Sequence, residues 1–108
     1  MIINLTPHDI TITNGTKTVT IKPSGLARCE ETSGEIKIVE DWIPVFRTTY
    51  GKISGLPEPK ENTIYVVSAR VAQALKETNA ERTDVMIPTK TLRDPEGNII
   101  GCTGLSIV

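Results

Sequence analysis

Ile10-Thr11-Ile12-Thr13-Asn14-Gly15-Thr16-Lys17-Thr18-Val19-Thr20-Ile21 is the stretch that decides the fold class. Apolar and hydroxyl side chains alternate on both sides of Asn14-Gly15. A period of two places Ile10, Ile12, Val19 and Ile21 on one face of a pleated pair. Asn-Gly tolerates the positive φ that a tight hairpin turn requires. The segment therefore reads as a β-hairpin with one face turned toward a core.

The rest of the chain reads as more short strands. Met1 to Leu5 is a first strand held at its terminus, and Thr6-Pro7-His8-Asp9 turns the chain. Leu26 to Cys29 reads as a short strand, and Glu30 to Glu35 as a polar link. Ile36 to Val39 and Trp42 to Thr49 are two strands separated by Glu40-Asp41. Pro44 cannot donate a ladder hydrogen bond, which puts it on an edge or at a bulge. Gly51 to Asn62, with Pro57 and Pro59, reads as a long ordered loop.

Thr63 to Val67 is continuously apolar enough for a central strand. Ser68 then caps a helix that turns Val71, Ala72 and Leu75 inward, with Asn79 as its stop. A strand from Asp84 to Ile87 follows and ends at Pro88. This strand–helix–strand crossover allows a parallel pair, and hence a mixed sheet. Thr91 to Arg93 is a further extended piece, and Asp94-Pro95-Glu96-Gly97-Asn98 is a turn. Ile99 to Val108 closes the chain as a strand bulged at Gly101 and Gly104. The expected architecture is one β-rich domain over residues 1–108, mainly β or α+β. A small curved sheet or partly open barrel carries one short helix packed on it.

Composition narrows the function classes. The 108 residues carry a formal net charge of −1, so no long-range field draws in nucleic acid. Two cysteines, Cys29 and Cys102, make no secreted disulfide framework, and reduced thiols in a cytoplasmic setting are expected. No apolar run is long enough to span a bilayer, so no membrane partner is expected. P-loop, dinucleotide-binding, HExxH and GxSxG patterns are absent. No RRM, KH or helix-turn-helix signature occurs either.

What chemistry there is lies in a few polar groups. His8 is the only histidine. Its plainer reading is a turn residue, because Asp9 beside it points to the opposite face. Arg82 offers a rigid donor fork suited to phosphate or carboxylate, and Asp84 would orient it. Arg93-Asp94 repeats that pairing. Gly101-Cys102-Thr103-Gly104 allows close backbone approach and exposed amides. Cys102 itself reads first as a small buried hydrophobe. His8, Cys29 and Cys102 have no metal-ligand spacing, so neither a metal nor another cofactor is expected. Leu56, between Gly55 and Pro57, is an anchor on a stiffened loop. It either closes one end of the barrel or, with Pro57, forms a lid.

Several motifs together resemble a family of small uncharacterised phage and prophage proteins. They are Asn4-Leu5-Thr6-Pro7-His8, Ser54-Gly55-Leu56-Pro57, Tyr65-Val66-Val67-Ser68, Arg82-Thr83-Asp84 and Gly101-Cys102-Thr103-Gly104-Leu105. The resemblance implies a bacterial host cell as the setting and, for the class, a role against host defence.

The leading expectation is a non-enzymatic, homo-oligomeric binder that sequesters a small anionic ligand, nucleotide-derived. Asn79, Arg82, Asp84, Arg93 and His8 would contact it, together with the segment Gly101, Cys102, Thr103 and Gly104. The Leu56–Pro57 lid would close over it. Two alternatives stand beside this expectation. One is a protein-interaction module that contacts a host factor or belongs to the virion. The other is a small hydrolase or nuclease using His8 with Asp84 or Cys102.

Overall fold

The computed structural model describes residues 1–78 and 81–108, which leaves Asn79, the expected helix stop, outside the described residues. Its elements are β1 (Ile2–Asn4), β2 (Ile10–Thr13), β3 (Thr18–Ile21), β4 (Arg28–Val39), β5 (Ile43–Ser54), β6 (Ile64–Val66), α1 (Ala69–Glu77), β7 (Val85–Arg93) and β8 (Ile99–Ile107). Six strands form one mixed sheet in the order β1-β6-β7-β8-β2-β3, while β4 and β5 pair only with each other. The protein is β-rich, a nearly closed curved sheet with one short helix packed against it.

The β2–β3 hairpin forms in the expected register, with Ile10 opposite Ile21 and Ile12 opposite Val19. Its turn is longer than two residues. Asn14 Oδ1 accepts from the amides of Thr16 (2.9 Å) and Lys17 (2.7 Å), while Gly15 takes φ 91°. Only Ile10 of the four apolar residues is fully buried, and Val19 is exposed.

The crossover β6–α1–β7 makes the expected parallel pair, Tyr65 opposite Val85. Ser68 caps α1 through Oγ, which accepts from the Val71 amide at 3.4 Å. Alternation along the central strands divides the core in two. Tyr65, Val67 and Val85 face α1, where they meet Leu5, Ala27, Val71, Ala72 and Leu75. Val66 faces the other way and packs with Ile10 and Cys102.

The sheet closes through Asn4. The Ser24 amide donates to the Asn4 carbonyl at 2.9 Å, linking β1 to the segment after β3. The Asn4 side chain is fully buried. Its Nδ2 donates to the carbonyls of His8 (2.7 Å) and Ile21 (2.9 Å). Its Oδ1 accepts from the Thr6 amide (2.9 Å) and hydroxyl (2.6 Å). All four hydrogen-bonding positions of the amide are therefore used.

Three sequence expectations are corrected. Glu30 to Glu35 is not a link. It belongs to β4, which pairs with β5 from Arg28–Ser54 to Val39–Ile43 as one long hairpin. Gly51 to Ser54 is likewise strand, so the loop that follows is shorter than expected. Pro88 does not end a strand. It lies inside β7, opposite Leu105. β6 pairs no further than Met86, so one edge of β7 is free at Pro88 and an absent N–H costs little there. The last strand does carry an irregularity, but it falls where Arg93 pairs with Ile99 and Leu92 with Gly101, which leaves Ile100 as the extra residue.

Replacing Asn4 by Ala takes the side-chain partner from the Ile21 carbonyl and the Thr6 amide and leaves the His8 carbonyl to the Thr6 hydroxyl. The expected loss is on the order of 3 kcal/mol in urea unfolding. Asn4→Asp puts a carboxylate against those two carbonyls and raises its folded pKa. Its destabilisation therefore grows as pH rises above the unfolded value of about 3.9, and unfolding at pH 3 and pH 7 checks the sign.

Candidate functional site

Arg82 and Asp84 stand just before β7 and turn toward each other. Arg82 Nε donates to Asp84 Oδ1 at 2.8 Å, and the same guanidinium donates to Oδ2 at 2.9 Å. This two-bond fork is largely shielded, with both side chains under one-fifth exposed. The hydrogen bonds from Arg82 hold the Asp84 carboxyl below the usual carboxylate range and outweigh the opposing effect of burial. The same bond raises the Arg82 pKa.

Arg82 also donates to the Pro57 carbonyl at 3.0 Å. Next along that loop, the Tyr65 hydroxyl donates to the Glu58 carbonyl at 3.3 Å. Leu56 packs on the helix-side core. Gly55 adopts φ 80°, and a Cβ there would lie 2.3 Å from the Leu26 carbonyl oxygen. The Leu56–Pro57 segment is thus held to the body by core packing and two side-chain hydrogen bonds. Of the two readings offered by the sequence, this geometry is that of a closed barrel end.

The other expected site residues lie elsewhere. Arg93 donates to the Gly97 carbonyl at 2.7 Å and braces its own turn. Asp94 Oδ1 caps the same turn by accepting from the amides of Glu96 and Asn98. The Asn98 amide is the main reason its carboxyl is held below the usual range. The His8 side chain is exposed, and what the fold uses is its carbonyl.

Cys102 is buried and pairs with Thr91 of β7 and Ile12 of β2. Thr91 is six residues along β7 from Val85, a strand length of about 20 Å. That spacing separates Cys102 from Arg82 and Asp84, while Gly104, opposite Thr89, is about 13 Å along the strand from Val85. Gly101 serves close approach of strands, since a Cβ would lie 3.1 Å from the Thr11 carbonyl oxygen. Gly104 packs beside Thr89, and Thr103 is exposed. Gly101 and Cys102 do line a surface hollow of about 160 Å³, but its other walls include Ile10, Pro88, Ile99, Ile100 and Asp9. A hollow with apolar walls and a carboxylate suits an apolar group better than an anion.

Both cysteines are free thiols, with Cys29 half-buried. Among the described residues no group of three His, Cys, Asp or Glu side chains is placed to hold a metal. No helix of the described residues is long and apolar enough to cross a membrane.

The most unusual surface is one the sequence expectations did not select. The β4–β5 hairpin has two 12-residue strands, a length of about 40 Å. Its ties to the body fall near its root. Cys29 and Ile53 pack on the core, Glu31 pairs with Arg70 at 3.6 Å, and the Tyr50 amide donates to Glu77 at 3.0 Å. Toward the tip the ribbon is apolar on both faces. Ile38, Pro44 and Phe46 share one face, and Val39, Ile43 and Val45 the other. Trp42, at the turn, is 77% exposed, Ile38 58% and Phe46 57%. Glu40 (φ 51°) and Asp41 (φ 63°) make that turn with positive φ at both central residues, as hairpin twist demands. A sequence signal existed in Ile36-x-Ile38 and Trp42-Ile43 on either side of Glu40-Asp41. Only the fold shows that nothing covers them.

The Arg82–Asp84 pair sets one measurable pH dependence. A lowered folded pKa contributes stability that is complete above the unfolded carboxylate value and is lost as pH falls through the folded one. Asp84→Asn should cost about 1–3 kcal/mol at pH 7, and the gap to the wild type should close below about pH 4. The same variant should speed proteolysis in the 55–59 loop, because Arg82 loses the carboxylate that aims it at Pro57.

No family model, curated protein or solved structure matches the chain.

Proposed function

We propose that this chain is a protein-interaction module and that the distal half of the β4–β5 hairpin is its contact element. The observation that carries the reading is the ribbon itself. It is two strands wide and apolar on both faces near its tip, and among the described residues its ties to the body fall near its root. An isolated two-stranded hairpin is marginally stable in water, and contiguous exposed apolar surface marks interaction sites. Trp and Phe at a projecting tip are side chains that anchor interfaces, each able to bury 150–250 Å².

The residues singled out for anion capture give that alternative less support. Arg82 is occupied by Asp84 and Pro57, and Arg93 by Gly97. The amides of the Gly101–Gly104 segment lie in a strand flanked by β7 and β2. A hollow of about 300 Å³ at the start of α1 does have Arg28 and Arg70 in its wall. Glu31 shares that wall and pairs with Arg70, which offsets the positive charge. Catalysis by His8 with Asp84 or Cys102 has no geometric support, because Asp84 is committed to Arg82 and Cys102 lies in the core. The resemblance to phage and prophage proteins supports the cytoplasm of a bacterial host as the setting for such a contact.

Gly34 and Arg47 are cross-strand partners, so the ribbon can be cut back there. A chain with residues 35–46 replaced by Asn-Gly should keep a dispersed amide NMR spectrum for Tyr65, Val66, Val71 and Val85, because their packing does not involve the tip. It should also lose the contact made by the intact chain. Collapse of the spectrum would show that the distal hairpin belongs to the core and would overturn the reading.

A further inference from the structure

Resting on the reading of the distal hairpin as a contact element, we infer that its occupant is a second copy of this chain. Trp42 of one copy is seated in the hollow beside Ile99 and Ile100 of the other. Three observations converge on this assignment.

The first is area. The chain exposes 7686 Å². A compact monomer of 11.8 kDa exposes about 5,900 Å², which leaves an excess of about 1,800 Å² per chain. The radius of gyration, 16.7 Å, likewise exceeds the roughly 13 Å of a compact domain this long. Two chains that removed their excess would bury about 3,600 Å², within the range of permanent complexes.

The second is complementarity within one sequence. The chain carries a projecting apolar tip and, separately, an open hollow in which Ile10, Pro88, Ile99 and Ile100 stand beside Asp9, Thr11 and Thr91. Ile99 and Ile100 are 59% and 58% exposed. The hollow holds about 160 Å³, and an apolar cavity of about 150 Å³ is known to take up benzene. Its size therefore suits one aromatic ring, and Trp42 is the most exposed aromatic of the chain. Its walls come from β7 and β8 with the start of β2, on the rigid sheet. A projecting anchor and a matching socket on the same molecule generate a closed assembly when the exchange is reciprocal.

The third is the hazard of leaving the ribbon bare. Both edges of a two-stranded ribbon are unpaired, and its tip is apolar on both sides. Such an edge templates aggregation unless it is covered. Pro44 and the bulge between Glu35 and Lys37 blunt the edges, but they leave Trp42, Ile38 and Phe46 in water. A second copy is the one partner always present where the chain is made.

Light scattering on the eluted full-length chain at 50 μM and at 1 μM tests the inference. The expected mass is twice that of the chain or a higher whole multiple. Trp42→Ala with Phe46→Ser, and separately Ile100→Lys, should each weaken assembly at least 100-fold while keeping the dispersed amide spectrum. Should Ile100→Lys fail to fold, a mixture of Trp42→Cys and Ile100→Cys chains replaces it. That mixture should form a disulfide-linked dimer that neither chain forms alone. A single-chain mass at 50 μM would overturn the inference, and so would an assembly that survives both substitution sets. A monomer whose shortened-hairpin form still folds leaves the hairpin as a contact for some other protein and removes only the second copy. A monomer whose shortened form collapses removes both.

Discussion

One buried amide holds the N-terminal half of this protein together. Asn4 sits on the inner side of β1, fully shielded, with both donors and both acceptor positions engaged. Its partners belong to the turn at Thr6–His8 and to the end of β3, segments that share no ladder with the middle of β1. Without it, the Ile21 carbonyl and the Thr6 amide would lose the side-chain partner that Asn4 gives them, and such a loss is costly where the group is buried. The neighbouring Leu5 points the other way, into the core beside Ala27. The Asn4-Leu5-Thr6-Pro7-His8 motif is thus a construction element. Asn4 closes the sheet, Leu5 fills the core, Thr6 supplies donors to Asn4, and His8 lends its carbonyl. The imidazole, which first draws attention, does none of this.

Closure there decides what the rest of the chain can do. The segment after β3 leaves the sheet, and the Ala27 amide ties it down by donating a hydrogen bond to the Leu5 carbonyl at 3.0 Å. The next strands do not join the main sheet. They pair with each other and leave the body as a ribbon. α1 supports only the ribbon's root, through Glu77 and Arg70. The hairpin thus projects from a nearly closed sheet, and its tip carries apolar side chains that the body does not cover.

Local signals in the sequence were legible where the chain interacts with itself over a few residues. The Ser68 cap and the Asp94–Asn98 turn carry their own chemistry and form as read, and Asn14-Gly15 makes the expected hairpin with a longer turn. Glu30 to Glu35 was illegible for a physical reason. A strand with water on both faces needs no alternation, and Glu-Glu-Thr-Ser-Gly-Glu has none. Pro88 misled because its tolerance depends on where β6 stops, which is a fact of another segment. Arg82 and Asp84 were found as a pair, but sequence alone does not show whether a fork faces a ligand or its own neighbour. The Leu56 loop was legible only as a choice between two roles. The bond from Arg82 to Pro57 belongs to the tertiary structure.

This contrast bears on how a small fold shows its function. A charged side chain whose donors are all used by its own chain has little left for a ligand, however suitable its chemistry. Arg82 commits Nε and one terminal nitrogen to Asp84 and Pro57, Arg93 directs one terminal nitrogen to Gly97, and among the described residues no buried side-chain polar atom lacks a partner. Apolar surface follows the opposite logic. It is satisfied only by removal from water, so apolar groups left exposed at the end of a projecting ribbon mark an unfinished burial. In this chain the polar groups are spent on closing the sheet and bracing its turns. The unspent free energy is hydrophobic, and it lies on Ile38, Trp42 and Phe46 at one extremity and on Ile99 and Ile100 at the sheet surface. A contact at either place would gain its free energy by removing apolar surface from water.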